Sequence, residues 1–220
     1  MSSFSPKSLI IPVVVVVAIV GVLALAVYFS SGEEDTTAQM SDKLVYDNAL
    51  AEPLNDDDWV KGAEEPRVTI VNYSDFQCPA CGYAHEKIIN RLLEEHPDDL
   101  RIVFRHFPLP SHKLAHQAAQ ATEAAGSQGK FWEMTDLIFT NQSSLATESF
   151  EGFARELGLD MEKFLKDLAE ETYQEYVDAD KDGGERSGVD ATPSFYINGE
   201  KYEGKISYDD LKAEVEKRLP

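Results

Sequence analysis

The stretch Val68-Thr69-Ile70-Val71-Asn72-Tyr73, followed closely by Cys78-Pro79-Ala80-Cys81, decides the fold and the chemistry expected of this chain. The apolar run predicts a buried strand and residues 82–95 predict a helix, so the cysteines fall at a helix N-terminus. Free backbone N–H groups and the helix dipole favour a thiolate at that position. Because the dipole contributes only about 0.3–1 kcal/mol, strong activation of Cys78 also needs direct N–H···S contacts. Pro79 suits the first helical position, where its missing N–H costs nothing.

Cys78 and Cys81 are the only cysteines in the 220 residues. A redox-active dithiol is the interpretation that this pattern favours. A structural disulfide is an alternative, although a bridge between residues three apart closes a tiny loop and stabilises little. A metal site usually needs further cysteines or well-placed histidines, so a two-thiolate metal-carrier site stays open as a third possibility.

The N-terminal part of the sequence predicts export. Residues 9–29 form an uncharged apolar run of 21 residues, which is long enough for a transmembrane helix and longer than a typical signal-peptide core. Lys7 precedes the run and acids follow it at 33–35, so residues 1–8 are expected in the cytoplasm and the remainder outside. We expect an uncleaved signal anchor in the cell membrane. Cleavage near Ala24-Leu25-Ala26 is the alternative, and it implies export as well.

The charge of the chain excludes some partners. The sequence holds 20 Lys and Arg against 40 Asp and Glu, and Lys7 is the only charged residue among the first 32, so the exported part has a net charge of −21. Such a surface repels the phosphates of nucleic acid and anionic lipid headgroups. A need for solubility, or a saline habitat, is enough to explain the acidity of the chain. It identifies no substrate.

Residues 30–52 are polar and lack a clear period, which is typical of a linker. Residues 53–220 then suffice for one domain. Its first strand and helix are followed by an alternating run at 100–107, which makes a βαβ unit with parallel strands. Helical patterns fill 113–125, 131–139, 147–158, 161–168 and 171–186. Strand-like 194–197, the Asn198-Gly199 turn, a strand at 201–203 and a helix at 208–219 complete the chain.

Four sequence blocks, in this order, carry a resemblance to a known family. They are Asp75-Phe76-Gln77-Cys78-Pro79-Ala80-Cys81, Arg105-His106-Phe107-Pro108-Leu109-Pro110-Ser111-His112, Gly129-Lys130-Phe131-Trp132-Glu133-Met134, and Gly188-Val189-Asp190-Ala191-Thr192-Pro193-Ser194-Phe195-Tyr196-Ile197-Asn198-Gly199. Over residues 58–218 the chain resembles the DsbA-like exported thiol-disulfide oxidoreductases, particularly the membrane-anchored bacterial members. The resemblance implies an α/β thioredoxin fold with an inserted all-helical subdomain at about 110–186, preceded here by one transmembrane helix.

The resemblance also assigns roles. Cys78 is implied to be the exposed cysteine that forms a mixed disulfide with a substrate, and Cys81 the more buried resolving cysteine. Pro79 and Ala80 form the dipeptide between them. Thr192 and Pro193 match the family's substrate-binding pair, with a cis peptide bond, whereas a proline at the start of an edge strand is the plainer explanation.

Two positions depart from the family pattern. Strongly oxidising relatives carry histidine where this chain has Ala80, which predicts a less oxidising pair here. Relatives often carry a buried acid at the position of Asn72, which cannot accept a proton. Asp75 is nearer to the cysteines in sequence, but the strand alternation directs its side chain elsewhere.

Other polar residues are candidate sites. His85 lies one turn after Cys81 and is expected to be half-exposed, with a proton relay as the alternative. His112 and His116 have a metal-ligand spacing, but His112 is expected to cap the first inserted helix. Asp178, Asp180, Asp182 and Gly183 match half of a calcium loop, yet Arg186 and Val189 occupy later ligand positions, so an acidic helix end explains them equally well.

Together these observations predict a membrane-tethered, extracytoplasmic enzyme that introduces disulfides into reduced exported proteins. It needs no cofactor or metal beyond the Cys78–Cys81 disulfide, and it is expected to be a monomer. The resemblance implies a quinone-linked membrane thiol oxidase as the partner that reoxidises it. A reductase or isomerase of the same fold, a tethered Cys-x-x-Cys metal carrier and a client-binding chaperone remain as alternatives.

Overall fold

The computed structural model describes residues 49–50 and 52–219. The predictions for the cytoplasmic residues 1–8, the anchor 9–29 and nearly all of the linker 30–52 lie outside the described residues. Within the described part of the chain, no helix combines the length and the apolar character that a membrane span requires.

A five-stranded mixed sheet forms the centre of the fold, with strand order β1-β3-β2-β4-β5. Strands β2 and β3 run parallel with Ile70 opposite Ile102, while the other neighbouring pairs are antiparallel. The strands are β1 Trp59–Gly62, β2 Val68–Ser74, β3 Leu100–His106, β4 Ser194–Ile197 and β5 Glu200–Lys201. The predicted parallel βαβ unit is confirmed.

Helices cover both faces of the sheet, which explains why the central strands are almost continuously apolar. On one face, Ile70 and Ile102 pack with Ile88 from the helical segment after the cysteines and with Leu211 and Val215 from the C-terminal helix. The other face carries a second apolar cluster, which is formed by alternate residues of the strands together with two residues outside them. Its members are Val71, Tyr73, Val103, Phe107, Val189 and Tyr196.

The helical segment after the cysteines is continuous but changes its winding. Helix α1 runs over Pro79–Tyr83, a π-helical segment over Ala84–Ile89 and helix α2 over Asn90–Glu95. The helix therefore starts three residues before the predicted 82. The remaining helices are α3 Ala115–Gly126, α4 Phe131–Thr140, a 3-10 turn Gln142–Ser144, α5 Thr147–Glu156, α6 Met161–Ala169, α7 Gln174–Arg186 and α8 Tyr208–Glu216. Helices α3 to α7, inserted between β3 and β4, occur where the sequence predicts them.

The predicted hairpin turn is confirmed. Asn198 and Gly199 both have positive φ, 51° and 87°, as a two-residue turn between twisted antiparallel strands requires. Its second strand is shorter than predicted and comprises only Glu200–Lys201.

Strand β1 was not predicted, and it joins the sheet to the inserted helices. The ring of Trp59 stacks on Phe131 with centroids 4.3 Å apart, and its indole nitrogen donates to Glu123 over 2.7 Å. The indole of Trp132 donates to the carbonyl oxygen of Val60 at 3.0 Å. The outer edge of the sheet is thereby tied to α3 and α4.

Candidate active site

Both cysteines are positioned by the first turn of α1. Cys78 precedes the helix in an extended conformation, with φ −75° and ψ 117°, and Pro79 begins it. The backbone N–H of Cys81 donates to the carbonyl oxygen of Cys78 at 3.0 Å, while the N–H of Cys78 donates to Asp75 at 3.1 Å. The predicted placement of the pair at a helix N-terminus is confirmed.

Both cysteines are free thiols and belong to one apolar cluster with Phe76, Phe139 and most of the alanines of α3. Cys78 is 8% exposed and Cys81 is 1% exposed. The expected order is confirmed, since Cys81 is the more deeply buried. The description of Cys78 as exposed was wrong, because Cys78 is buried in the apolar cluster that also holds the inserted helices, and only a small part of it is accessible.

The surroundings drive the pKa values of the two thiols apart. A hydrogen bond from the Cys81 thiol, aided by the backbone N–H groups of Cys81 and Ala80, outweighs burial and lowers the pKa of Cys78 to about 5. Burial, together with the thiolate of Cys78, raises the pKa of Cys81. The backbone N–H groups of the first helical turn thus help to stabilise the Cys78 thiolate, as the position of the pair at a helix N-terminus predicts.

The loop before β4 lies against the cysteines. The peptide bond between Thr192 and Pro193 is cis, as the resemblance implies. The thiol of Cys78 donates to the carbonyl oxygen of Thr192 over 3.3 Å. The structure thus brings the Thr192–Pro193 pair, 114 residues further along the chain, into contact with the first cysteine.

Asp75 links the dithiol to the loop after β3. Its backbone N–H lies 3.4 Å from the sulfur of Cys81, while its buried carboxylate accepts hydrogen bonds from the N–H groups of Gln77 and Leu109 and from Nδ1 of His112. The carboxylate is committed to these three donors, which agrees with the expectation that it points elsewhere. Asn72 is buried, and its Oδ1 has no hydrogen-bond partner among the described residues.

The histidines do not assemble into a metal site. His112 pairs with Asp75, whereas His116 lies 3.2 Å from Asp178, so their side chains serve different partners. The expectation that His112 caps the first inserted helix was wrong, because Leu114 occupies that position. In residues 49–50 and 52–219, no group of three His, Cys, Asp or Glu side chains is arranged to hold a metal ion.

His85 is buried, and the expectation of a half-exposed histidine was wrong. Its side chain is only 3% exposed, lies against Phe139 and contacts Oδ1 of Asp136 at 2.6 Å. The π-helical segment in which it lies changes the angular spacing that the prediction assumed. Burial raises the pKa of Asp136, but the hydrogen bond to His85 and the electrostatic attraction of His85 and Lys61 together outweigh it, so the pKa is lowered.

The acidic run at 178–183 is helical, as the acidic-helix alternative proposed. All four residues lie inside α7, so they cannot form the turns of a calcium loop. Asp180 accepts a hydrogen bond from the backbone N–H of His106 at 2.8 Å, and burial raises its pKa to about 6. Asp180 thus makes a tertiary contact between α7 and β3.

Gln142 contacts the active-site turn and was missed in the sequence. Its side-chain amide donates to the carbonyl oxygens of Phe76 and Cys78, both at 2.8 Å. A glutamine 64 residues from the motif carries no local signal of such a contact. Only the packing of the inserted helices onto the sheet brings it there.

The low pKa of Cys78 leads to a testable pH dependence. Since its folded pKa lies below the ordinary 9.0, the thiolate persists above about pH 5 and is lost as the pH falls through that value. Alkylation of the reduced protein by iodoacetamide, followed by mass spectrometry from pH 3.5 to pH 9, should therefore be half-maximal near pH 5 at Cys78. Glutathione in the same tube serves as the ordinary thiol. A midpoint above about pH 8 would contradict the assignment.

The fold and the site define a class. A mixed sheet with a Cys-x-x-Cys pair at the start of the helix after a central strand, facing a cis-proline loop, is the arrangement of thioredoxin-fold proteins. Residues 54–217 match the family model described as thioredoxin. The chain belongs to this thioredoxin family.

Solved structures confirm the resemblance to DsbA-like proteins at the level of fold. BdbD from Bacillus subtilis superposes with a TM-score of 0.70 at 23% identity, covering 79% of this chain and 98% of that one. The α-DsbA1 protein of Wolbachia pipientis gives 0.67 at 19% identity over 76% and 93% of the two chains. The catalytic domain of ScsC from Proteus mirabilis gives 0.63 at 18% identity over 83% and 97%. The fold is that of the DsbA-like thiol-disulfide oxidoreductases.

Curated relatives match a comparable segment within longer proteins. The Na(+)/H(+) antiporter NhaA 1 of Salinispora arenicola is 41% identical over 168 residues, which is 76% of this chain and 26% of that protein. The Na(+)/H(+) antiporter NhaA of Herminiimonas arsenicoxydans is 41% identical over 152 residues, 69% of this chain and 24% of that protein. The chain spans about a quarter of the length of these relatives.

Proposed function

We propose that this protein is an extracytoplasmic thiol-disulfide oxidoreductase that donates the Cys78–Cys81 disulfide to reduced exported proteins. The observation that carries the proposal is the Cys78–Cys81 dithiol at the start of α1, with Cys78 in contact with the cis Thr192–Pro193 loop. The opposite pKa shifts of the two thiols agree with it. A Cys78 thiolate that persists at neutral pH stabilises the reduced form, and a stable reduced form makes the disulfide a better oxidant.

The reaction has two exchange steps. A substrate thiolate attacks the sulfur of Cys78 in the oxidised protein, so that the Cys78–Cys81 bond breaks and the sulfur of Cys81 leaves and takes a proton. A second substrate thiolate then attacks the substrate sulfur of the mixed disulfide, and Cys78 leaves as a thiolate. Two electrons pass from the substrate to the protein, and the disulfide passes to the substrate. No organic cofactor is required.

The loop at Thr192 and Pro193 is proposed to receive the substrate. The carbonyl oxygen of Thr192 lies 3.3 Å from the sulfur of Cys78, and Pro193 offers no N–H. A backbone group beside the reacting sulfur can pair with an extended substrate segment and hold its cysteine in line. Pro79 and Ala80, exposed between the cysteines, complete this surface.

The proposed setting is the outer face of the cell membrane, with residues 9–29 as the anchor, 30–52 as the linker and the enzyme acting as a monomer. Reoxidation of the dithiol then falls to a membrane thiol oxidase that passes electrons to quinone. The sequence of the anchor and the family resemblance support this setting. Ala80 favours a second candidate, a reductase of the same fold, because no side-chain cation lies between the cysteines to stabilise the thiolate.

The proposal is tested by single-turnover transfer. The oxidised full chain in detergent micelles is mixed with an equal amount of a reduced, unfolded protein that holds two cysteines, and both partners are quenched by acid and alkylated. We expect one disulfide to appear in the substrate for each dithiol formed at Cys78 and Cys81. Net transfer of electrons from the reduced protein to an oxidised substrate would contradict the proposal and indicate a reductase.

A further inference from the structure

Gln142 connects the inserted helices to the turn that carries the first cysteine. It opens the 3-10 turn Gln142–Ser144, directly after α4, and its side chain is partly buried. The two N–H bonds of one amide group reach the carbonyl oxygens of Phe76 and Cys78, each over 2.8 Å. One side chain therefore holds both ends of the turn before α1.

Gly82 shows how closely Gln142 packs against α1. A Cβ atom built on Gly82 would lie 2.9 Å from Oε1 of Gln142, which is closer than ordinary van der Waals contact. Gly82 lies inside a helix and does not have a positive φ. Position 82 is therefore a glycine because the Gln142 side chain lies so close, and not because the backbone has an unusual conformation there.

The contact acts on the residue that provides the reactive sulfur. The carbonyl oxygen of Cys78 already accepts from the N–H groups of Cys81 at 3.0 Å and Gly82 at 3.2 Å, and Gln142 adds a third donor. The positive end of the amide dipole is directed at this residue, which favours negative charge on it. The same bonds hold Cys78 in the extended conformation in which its sulfur contacts the carbonyl oxygen of Thr192.

We propose that Gln142 is a positioning residue that makes the dithiol more oxidising by holding the Cys78 turn and directing an amide dipole at it. The inference rests on the proposed function and extends it: the inserted helical segment, through one side chain, sets the thiol–disulfide equilibrium. Gln142 touches no reacting atom in the structure, and it acts through the backbone of Cys78.

The experiment compares full-length variants in glutathione redox buffers, with the reduced and oxidised forms counted after alkylation. Replacing Gln142→Ala should move the equilibrium towards the disulfide about three- to fivefold, because only the part of the interaction that differs between the thiolate and the disulfide counts. Gln142→Glu keeps the size but replaces the donors by an anion, so the shift should exceed that of Gln142→Ala. The thiolate absorbance of Cys78 in the ultraviolet should titrate at a higher pH in the same order.

A matched control is available in Gln128, which bridges two segments away from the cysteines. Its side chain accepts from the backbone N–H of Asp160 at 2.8 Å and donates to the Asp160 carbonyl oxygen at 3.3 Å. Gln128→Ala removes a comparable bridging amide, and it should leave the equilibrium within about twofold of the parent.

A double-mutant cycle tests the contact itself. Gly82→Ala should push the Gln142 side chain off the turn and shift the equilibrium in the same direction as Gln142→Ala. In the Gln142→Ala background the new methyl group has free space, so Gly82→Ala should then add little. Independent, additive shifts would overturn the proposal, because they would mean that Gly82 and Gln142 act separately.

The outcomes separate this inference from the proposed function. If the parent chain fails to exchange with glutathione at all, both are overturned. If the parent exchanges but both Gln142 variants match Gln128→Ala within twofold, the inference is overturned while the function stands. Loss of stability to urea in the Gln142 variants with an unchanged equilibrium would also overturn it, because the contact would then be structural only.

Discussion

Replacing Cys78→Ser is expected to lower the rate of disulfide transfer by roughly 10³-fold or more, because no sulfur remains to form the mixed disulfide. Cys81→Ser removes the other thiol of the same pair, yet it should behave differently. Its Cys78 keeps the backbone N–H groups of the first helical turn, and the serine hydroxyl takes the place of the Cys81 thiol, so its pKa stays lowered. The Cys78 thiolate therefore attacks glutathione disulfide at neutral pH and forms a mixed disulfide that nothing resolves. Cys78→Ser should form almost none, because burial raises the pKa of Cys81 and only 1% of the residue is accessible.

Intact-mass measurement after incubation with glutathione disulfide distinguishes the two variants. We expect one glutathione adduct on nearly every Cys81→Ser molecule and a small fraction on Cys78→Ser. Equal adduct formation would contradict the separate roles assigned to the two cysteines. A Cys78→Ser protein with full activity would instead favour the client-binding chaperone.

A second large effect is expected far from the dithiol, in the buried pair of Arg105 and Asp58. Their side chains are 3% and 2% exposed and are joined by two bonds, Nε to Oδ1 at 2.8 Å and Nη2 to Oδ2 at 2.9 Å. The remaining N–H groups of Arg105 reach the carbonyl oxygens of Glu52 and Pro53 and the hydroxyl of Tyr73. Every donor of the guanidinium is used, and residues 52–58 are thereby held against the sheet.

Asp58→Ala leaves the Arg105 cation buried without its counter-charge, which should lower the free energy of unfolding by about 3–5 kcal/mol. Asp56→Ala, two residues earlier and exposed, is the matched control and should change it by less than about 0.5 kcal/mol. Urea unfolding of the reduced proteins, followed by circular dichroism, measures both. A loss below about 1 kcal/mol for Asp58→Ala would show that the segment is held mainly by other contacts.

The elements found from the sequence are those whose signals are local. Val68–Ser74 and Leu100–His106 are apolar runs of strand length, the Asn198–Gly199 pair specifies its own turn, and Pro79 marks a helix start. Strand β1 lacks such a signal, because its four residues are ordered by pairing with β3 and by the stack of Trp59 on Phe131. The strand forms because of these tertiary contacts, and its short sequence, which ends in glycine, does not predict it.

The candidate site also contains some residues that the sequence predicts and others that only the packing of the fold places there. The cysteine pair was found because its spacing and its helix position are local properties, and the Thr192–Pro193 pair came from the family resemblance. Gln142 and the burial of His85 depend on where α4 packs against the active-site turn, which the sequence does not state. The limited exposure of Cys78 likewise depends on the apolar cluster that it shares with the inserted helices.

The most direct test of the account is the equilibrium of the Cys78–Cys81 pair with glutathione at pH 7, measured on the full chain and read by alkylation and mass spectrometry. A lowered thiolate pKa at Cys78 predicts an oxidising pair, largely reduced in a buffer that keeps ordinary structural disulfides intact, with a reduced form more stable to urea than the oxidised form. A strongly reducing pair, still oxidised in that buffer, would contradict disulfide donation and assign the protein to a reductase.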